Sequence, residues 1–259
     1  MNVVFSCDKE AMIGIRPLIM SISVNTFSQV NFYLLTCDVV EAENLDIPNL
    51  NIVKFTVPEF LKQNIRVTRK KQEYVKRVKN YMNYARFYFA SCFPDLDRIL
   101  YMDTDMICQG DIHDLFQSMD WDNYYFGACL LDDPKWAGFP NNTRLVDIKE
   151  DNFNAGMFLT SLNAWRQHDI ETQFQQWMLR HKEHPEGLFS YGTQPLMNLV
   201  FYKNFHKFPI TWNYYKIAYY DYDDDFVKSL KLLHYAGSKK PWHKNCKNKK
   251  YWDFYYSKK

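Results

Sequence analysis

Asp97-Arg98-Ile99-Leu100-Tyr101-Met102-Asp103-Thr104-Asp105-Met106-Ile107 is an apolar run carrying two carboxylates one residue apart. The run reads as a buried strand. Like charges so close raise each other's pKa unless a cation neutralises them. At the C-terminal end of a strand in an open α/β sheet, such a pair faces the crevice where ligands bind. The flanking sequence supports such a sheet. Further apolar runs over 3–7, 32–37, 52–57, 126–131 and 153–160 read as strands, and segments 12–27, 81–93, 164–182 and 193–202 read as helices. Strands alternating with helices predict a largely parallel, doubly wound α/β sheet. No flexible linker or internal repeat interrupts the 259 residues, so the chain is expected to be a single domain, 1–259. A core over about 1–210 would precede a closing segment and a basic, aromatic tail over about 211–259.

Composition narrows the function classes. Lys and Arg total 32 against 30 Asp and Glu, a net charge of +2, which excludes a global electrostatic grip on nucleic acid. Hydrophobic residues at 47% and charged residues at 24% exclude dominant disorder. No run of 18 apolar residues suggests a membrane-spanning helix. The start, Met1-Asn2-Val3-Val4-Phe5, lacks a basic leader and reads as mature protein, so a cytoplasmic location is expected. Six cysteines (7, 37, 92, 108, 129 and 246) form no CxxC pair, which suits free, largely buried thiols in a reducing compartment. Asn141-Asn142-Thr143 matches a glycosylation acceptor but is discounted without a secretion signal.

The two carboxylates offer hard oxygen ligands of the kind that hold Mg²⁺ or Mn²⁺ beside diphosphate oxygens, although an ordinary acidic turn would look the same in isolation. A second segment, His234-Tyr235-Ala236-Gly237-Ser238-Lys239-Lys240-Pro241-Trp242, supplies complementary groups. An imidazole nitrogen at His234 would tilt the site towards Mn²⁺. Gly237 would let the backbone approach a phosphate, and Lys240 is a point charge for it. Taken alone, His234 is better read as a buried core histidine. Segment 62–79 carries eight basic residues against Glu73, which reads as a solvated face or an anion-facing flap. The long connection 133–152 is a candidate lid over the ligand crevice, or an ordinary packed surface loop. The tail from Lys244 interleaves six lysines with five aromatics, which suits either packing on its own domain or peripheral contact with the inner face of an anionic membrane.

With these segments stand Phe5-Ser6-Cys7-Asp8, Asn83-Tyr84-Ala85-Arg86-Phe87, Phe153-Asn154-Ala155-Gly156 and Tyr191-Gly192-Thr193-Gln194-Pro195. In this order, from residue 1 to about 245, the chain resembles glycosyltransferase family 8. It looks like the bacterial lipooligosaccharide galactosyl- and glucosyltransferases of that family, and more distantly like glycogenin. The resemblance implies a GT-A fold, Rossmann-like in its nucleotide-binding part, and a retaining transfer from a UDP-hexose with Mn²⁺, Mg²⁺ being the alternative. It places Asp103, Asp105 and His234 on the metal. Asp8 then binds the uridine, with Ser6 and Thr104 among the donor-binding residues. Gly237 and Lys240 contact the diphosphate, Arg86 lies near the donor sugar and phosphate, and Asn154, Ala155 and Gln194 line the sugar pocket. Gln194, Asn154 and Asp132 form the expected catalytic set. Because Gln194 is an amide and a poor nucleophile, same-face attack is favoured, with its carbonyl oxygen supporting the anomeric centre. Local alternatives are a salt bridge within its helix for Arg86, a turn cap for Asn154 and a helix cap for Gln194.

The sequence departs from the family at Thr193, Pro195 and Ala11, where an aspartate, a further acid and a uracil-stacking aromatic are usual, and at the pocket aspartate, which Asp132 or Asp133 fills with a shift of about one residue. These changes leave the donor hexose open between glucose and galactose, with an N-acetylated sugar also allowed. The expected acceptor is a carbohydrate or glycolipid, with no nucleic-acid partner. A glycogenin-like enzyme that glucosylates its own tyrosine, and an inactive sugar-nucleotide binder, are the competing readings.

Overall fold

A computed structural model of the chain describes residues 1–64, 81–139, 151–184, 187–189 and 192–258. Seven strands form the central sheet: β1 (Asn2–Ser6), β2 (Asn31–Thr36), β3 (Leu50–Lys54), β4 (Arg98–Met102), β6 (Phe126–Leu130), β7 (Phe153–Ser161) and β8 (His206–Phe208). Their order is β3-β2-β1-β4-β7-β6-β8. Every neighbouring pair is parallel except those involving β7, which runs against both β4 and β6. Two short strands, β5 (Met106–Cys108) and β9 (Leu232–His234), pair antiparallel in a separate ribbon.

The inner strands β1, β4, β6 and β7 are largely apolar because both faces of the sheet are covered there. Side chains alternate along β1 and β4 with a period of two. Val4, Ile99 and Tyr101 enter an aromatic-rich cluster with Phe87, Phe126, Phe158 and Phe174. Val3, Phe5, Leu100 and Met102 enter an aliphatic cluster on the other face with Ile15, Leu18 and Ile22 of the helix Ile15–Asn25. Rings stack closely in the first cluster, with centroids 3.6 Å apart for Phe87 and Phe174 and 3.9 Å for Phe126 and Phe201. Each such side chain contributes about 1.5–3 kcal/mol on burial. A third cluster joins the ribbon to the C-terminal part through Ile107, Val227, Leu233, Tyr235 and Trp252.

The mostly parallel α/β sheet agrees with the sequence reading, and three details correct it. The run 99–107 is not one strand: β4 ends at Met102, the acidic triplet turns, and β5 begins at Met106. The helix expected over 164–182 is two helices, Leu162–Gln167 and Ile170–Glu183, broken where Asp169 takes a left-handed backbone at φ 51°. The region after 210, where the sequence has no clear period, contains β9 and the helices Asp224–Ser229 and Lys250–Tyr256. All six cysteines are free and four are buried. Among the described residues, no helix is long and apolar enough to cross a membrane. Most of the basic segment 62–79, the central part of the connection 133–152 and the triplet Asn141-Asn142-Thr143 lie outside the described residues.

Candidate active site

The C-terminal ends of β1, β4, β6 and β8 open on one edge of the sheet, and the reversed β7 brings its first residues to the same edge. Asp103 follows β4 directly, and its backbone N–H donates to the Gly156 carbonyl at 2.7 Å. The ribbon brings in His234: Met106 pairs with it across β5 and β9, and the Tyr235 N–H donates to the Asp105 carbonyl at 2.9 Å. Two glycines permit this closeness. A Cβ on Gly14 would lie 2.0 Å from the Thr104 carbonyl oxygen. A Cβ on Gly156 would lie 2.4 Å from His234 Cε1 and 2.9 Å from Asp103 Oδ2.

Asp103, Asp105 and His234 each present a ligand atom, all within 4.8 Å of one another. His234 Nε2 is 3.5 Å from Asp105 Oδ1 and 3.9 Å from Asp103 Oδ2. The other oxygen of Asp103 is already engaged: Oδ1 accepts from Tyr101 Oη and from Arg86 Nη2 at 3.0 Å. Asp105 Oδ2 accepts from Lys240 Nζ. Burial works against the Asp105 carboxylate, but Lys240 and His234 outweigh it and hold its pKa well below the usual carboxylate range. Burial likewise opposes the charge on Arg86, and Tyr101, Asp103 and Asp105 overcome it. The donor set, two carboxylates and one imidazole with no thiolate, fits a hard or borderline divalent ion such as Mg²⁺ or Mn²⁺.

A chain of amides runs away from His234. Its Nδ1 lies 2.8 Å from Asn213 Oδ1. Asn213 Nδ2 donates to Asn154 Oδ1 at 3.0 Å, and Asn154 Nδ2 donates to Gln194 Oε1 at 3.1 Å. Gln194 Oε1 also accepts from the Ala155 N–H at 3.1 Å, while its Nε2 donates to the Trp136 carbonyl. An amide oxygen has two lone pairs, so the Gln194 oxygen is committed within the protein. In this arrangement Gln194 Oε1 faces Asn154 and the Ala155 N–H.

The remaining expected residues divide. Arg86 is buried, bonded to the Ala155 carbonyl at 2.7 Å and the Asn83 carbonyl at 3.1 Å, with its guanidinium 4.5 Å from the centre of the Tyr101 ring. Its partners are therefore the backbone and Asp103. Asp8 Oδ1 accepts from the N–H groups of Glu10 and Ala11, both at 3.1 Å, and so caps the turn that packs on Thr104. Ser6 Oγ donates to Tyr101 Oη at 3.4 Å. Asp132, just past β6, is held by Tyr215 Oη and by Lys216 Nζ at 2.6 Å. Gly237 has φ 80°, and a Cβ there would strike Tyr219 Oη. Trp136 stands edge-on to Tyr215 and Tyr219, with centroids 5.5 and 5.6 Å away, and so ties the turn Pro134–Ala137 to the C-terminal part.

The sequence reading passed over Tyr101 and Asn213. Tyr101 had a signal: it lies two residues before Asp103 on a strand, hence on the same face. Asn213 had none, since a lone asparagine between Trp212 and Tyr214 carries no pattern.

Residues 2–246 match the model of a protein family described as Glycosyl transferase family 8. The chain belongs to that family. This family 8 glycosyltransferase is 30% identical over 208 residues to zebrafish glycosyltransferase 8 domain-containing protein 1, a match spanning 68% of the chain and 55% of the relative. Thus the match spans about half the relative's length. It is 28% identical over 295 residues to the human protein of the same name, spanning 98% of the chain and 76% of that protein. Its fold is that of the galactosyltransferase LgtC, solved with donor and acceptor sugar analogues: TM-score 0.75 at 20% identity, covering 99% of this chain and 95% of that one. The glycosyltransferase GlyE of Streptococcus pneumoniae shares the fold at TM-score 0.67 and 20% identity, covering 100% of this chain and 60% of that one. The GT-A fold expected from the sequence is therefore the fold of the chain.

Proposed function

We propose that the chain is a retaining, metal-dependent transferase that moves a hexose, glucose or galactose, from a UDP-sugar to a carbohydrate or glycolipid acceptor. The observation that carries the reading is the convergence of Asp103, Asp105 and His234, from two separate segments, at the ligand-binding edge of the sheet. These three residues would hold Mn²⁺ or Mg²⁺, and the bound ion would act as a Lewis acid on the departing diphosphate. Lys240 adds a second positive charge at the same place, suited to the negative charge that develops as the glycosidic bond breaks. Ser6 ends β1, and Asp8 and Thr104 lie on the segments following β1 and β4, where the nucleotide would bind. Gly237 supplies the backbone approach to the diphosphate, and Asn154 and Ala155 line the sugar side. Retention by double displacement needs a nucleophile, and the Gln194 amide is a poor one. Same-face attack, with the leaving phosphate taking the acceptor's proton, fits these residues better. Asp132, held by Tyr215 and Lys216, would serve as the pocket aspartate.

Peripheral membrane contact is a subsidiary part of the reading. The helices Ile15–Asn25 and Lys250–Tyr256 pack together and expose Val24, Phe254 and Tyr256, with Phe27 95% exposed just beyond the first. Lysines beside apolar side chains suit an anionic lipid surface.

The test is UDP release and sugar transfer across a panel of UDP-sugars, with Mn²⁺ and with EDTA, reading the anomeric configuration of any product by NMR. Release from one UDP-hexose that EDTA abolishes, with configuration kept, is expected. Equal turnover in EDTA, or an inverted product, would overturn the proposal.

A further inference from the structure

The orientation of the amides beside His234 can be read from a single backbone group. The Gly156 N–H donates to Asn154 Oδ1 at 3.0 Å. A peptide N–H cannot turn over, so the oxygen end of Asn154 is fixed there. Asn213 must then offer Nδ2 to that oxygen, because two carbonyl oxygens face to face would repel. Its own oxygen is thereby turned to His234 Nδ1. The other end of the chain agrees independently. The Ala155 N–H fixes Gln194 Oε1, which requires the nitrogen end of Asn154 to point at Gln194, as it does. An oxygen at Nδ1 requires a proton there, so Nε2 keeps its lone pair. Nε2 is the atom that lies 3.5 and 3.9 Å from the two carboxylates. Asn213 is fully buried, so water cannot substitute for its oxygen.

We propose that Asn213 is a positioning residue that holds His234 in its Nδ1–H tautomer, so that Nε2 presents its lone pair between Asp103 and Asp105. The proposal rests on the reading of that trio as a cation site. Asn213 touches neither donor nor cation; it acts through His234, and Asn154 and Gln194 act through Asn213. Outer partners of a metal-bound histidine typically carry 10- to 100-fold in metal affinity. Gln194 thus becomes the far anchor of the chain, bonded to the Trp136 carbonyl on the turn Pro134–Ala137.

The two substitutions to compare are Asn213→Leu, which removes both polar ends, and Asn213→Asp, which keeps an acceptor for Nδ1–H but exchanges the donor to Asn154 for a second oxygen. The first readout is the tautomer, from long-range ¹H–¹⁵N correlation of the metal-free protein at a pH where the ring is neutral, with His234→Gln to assign the signal. The second is Mn²⁺ affinity in the presence of UDP. Wild type should show the proton on Nδ1. Asn213→Leu should lose that preference and about 10- to 100-fold in Mn²⁺ affinity, whereas Asn213→Asp should keep both. A wild-type proton on Nε2 overturns the proposal, even if Asn213→Leu does not fold. So does an Asn213→Leu protein that retains wild-type Mn²⁺ affinity. A wild type that shows the expected tautomer but takes up no Mn²⁺ with UDP overturns the assignment of a cation to Nε2, and with it the metal-site reading, while the hydrogen-bond assignment stands on the spectrum.

Discussion

At the scale of single residues, the site is defined as much by a missing side chain as by those present. Gly156 lies against His234, Asp103 and Asn154 at once, and one methyl group there would press on all three. Gly156→Ala is therefore expected to cost about 1–3 kcal/mol in stability through overpacking. The displaced ligands should reduce turnover on the order of 10²-fold, as misplacement by about 1 Å can do. Denaturant titration and steady-state kinetics on the same preparation would check both, and an unchanged turnover would show that the trio tolerates displacement. Single residues also show where sequence reasoning stops. Asp103 and Asp105 stand out in the chain because two acids close an apolar run. That His234 belongs with them follows from the pairing of Met106 with His234, a long-range register that no local pattern contains. Arg86 and Gln194 were visible as motif residues, but not all their partners were, because these include the backbone carbonyls of Ala155 and Trp136.

At the scale of elements, long apolar strands were legible and short ones were not. β1, β2, β4, β6 and β7 are five to nine residues of nearly unbroken apolar sequence. β8 and β9 have three residues each, too few for a period to emerge, and are held by their neighbours. The break between the helices Leu162–Gln167 and Ile170–Glu183 was hidden because apolar spacing continues across it. At the start of the second helix, Glu171 accepts from Ser91 Oγ at 2.6 Å. Burial, aided by Asp169, pushes its carboxyl pKa above the ordinary value of 4.5 despite that hydrogen bond. The folded protein therefore binds this proton more tightly than the unfolded chain does. Stability is lost as pH rises from about the unfolded value through the raised folded one. Glu171→Gln should be more stable than wild type at pH 7, by less than about 1 kcal/mol because the half-buried group is screened by water. The advantage should disappear below about pH 4.5, where both states carry the proton. Thermal melts at the two pH values would check this, and a destabilised variant at pH 7 would refute it.

At the scale of the whole molecule, the C-terminal segment belongs to the fold rather than hanging from it. Trp252 is buried in the third cluster, stacks on Tyr256 at 4.4 Å and lies near Trp242. Tyr255 Oη meets Asn25 of the helix Ile15–Asn25, and Lys249 and Lys250 pair with Asp253 and Asp224. The composition left open a tail packed on its own domain and one on a lipid surface, because it records which residues are present, not which of them find partners. Trp252→Ala should cost about 3–5 kcal/mol, measurable by guanidinium unfolding, whereas a loosely attached tail would cost nothing. The reversed β7 has a consequence for how such an enzyme can diversify. In a purely parallel sheet, only the chain leaving a strand can lengthen beside the cleft. Here the chain entering β7 arrives there too, so the segment between Leu130 and Phe153 has both ends at the cleft. That segment can be exchanged, lengthened or shortened to reshape the cleft while the sheet and the Asp103–Asp105–His234 trio are inherited unchanged.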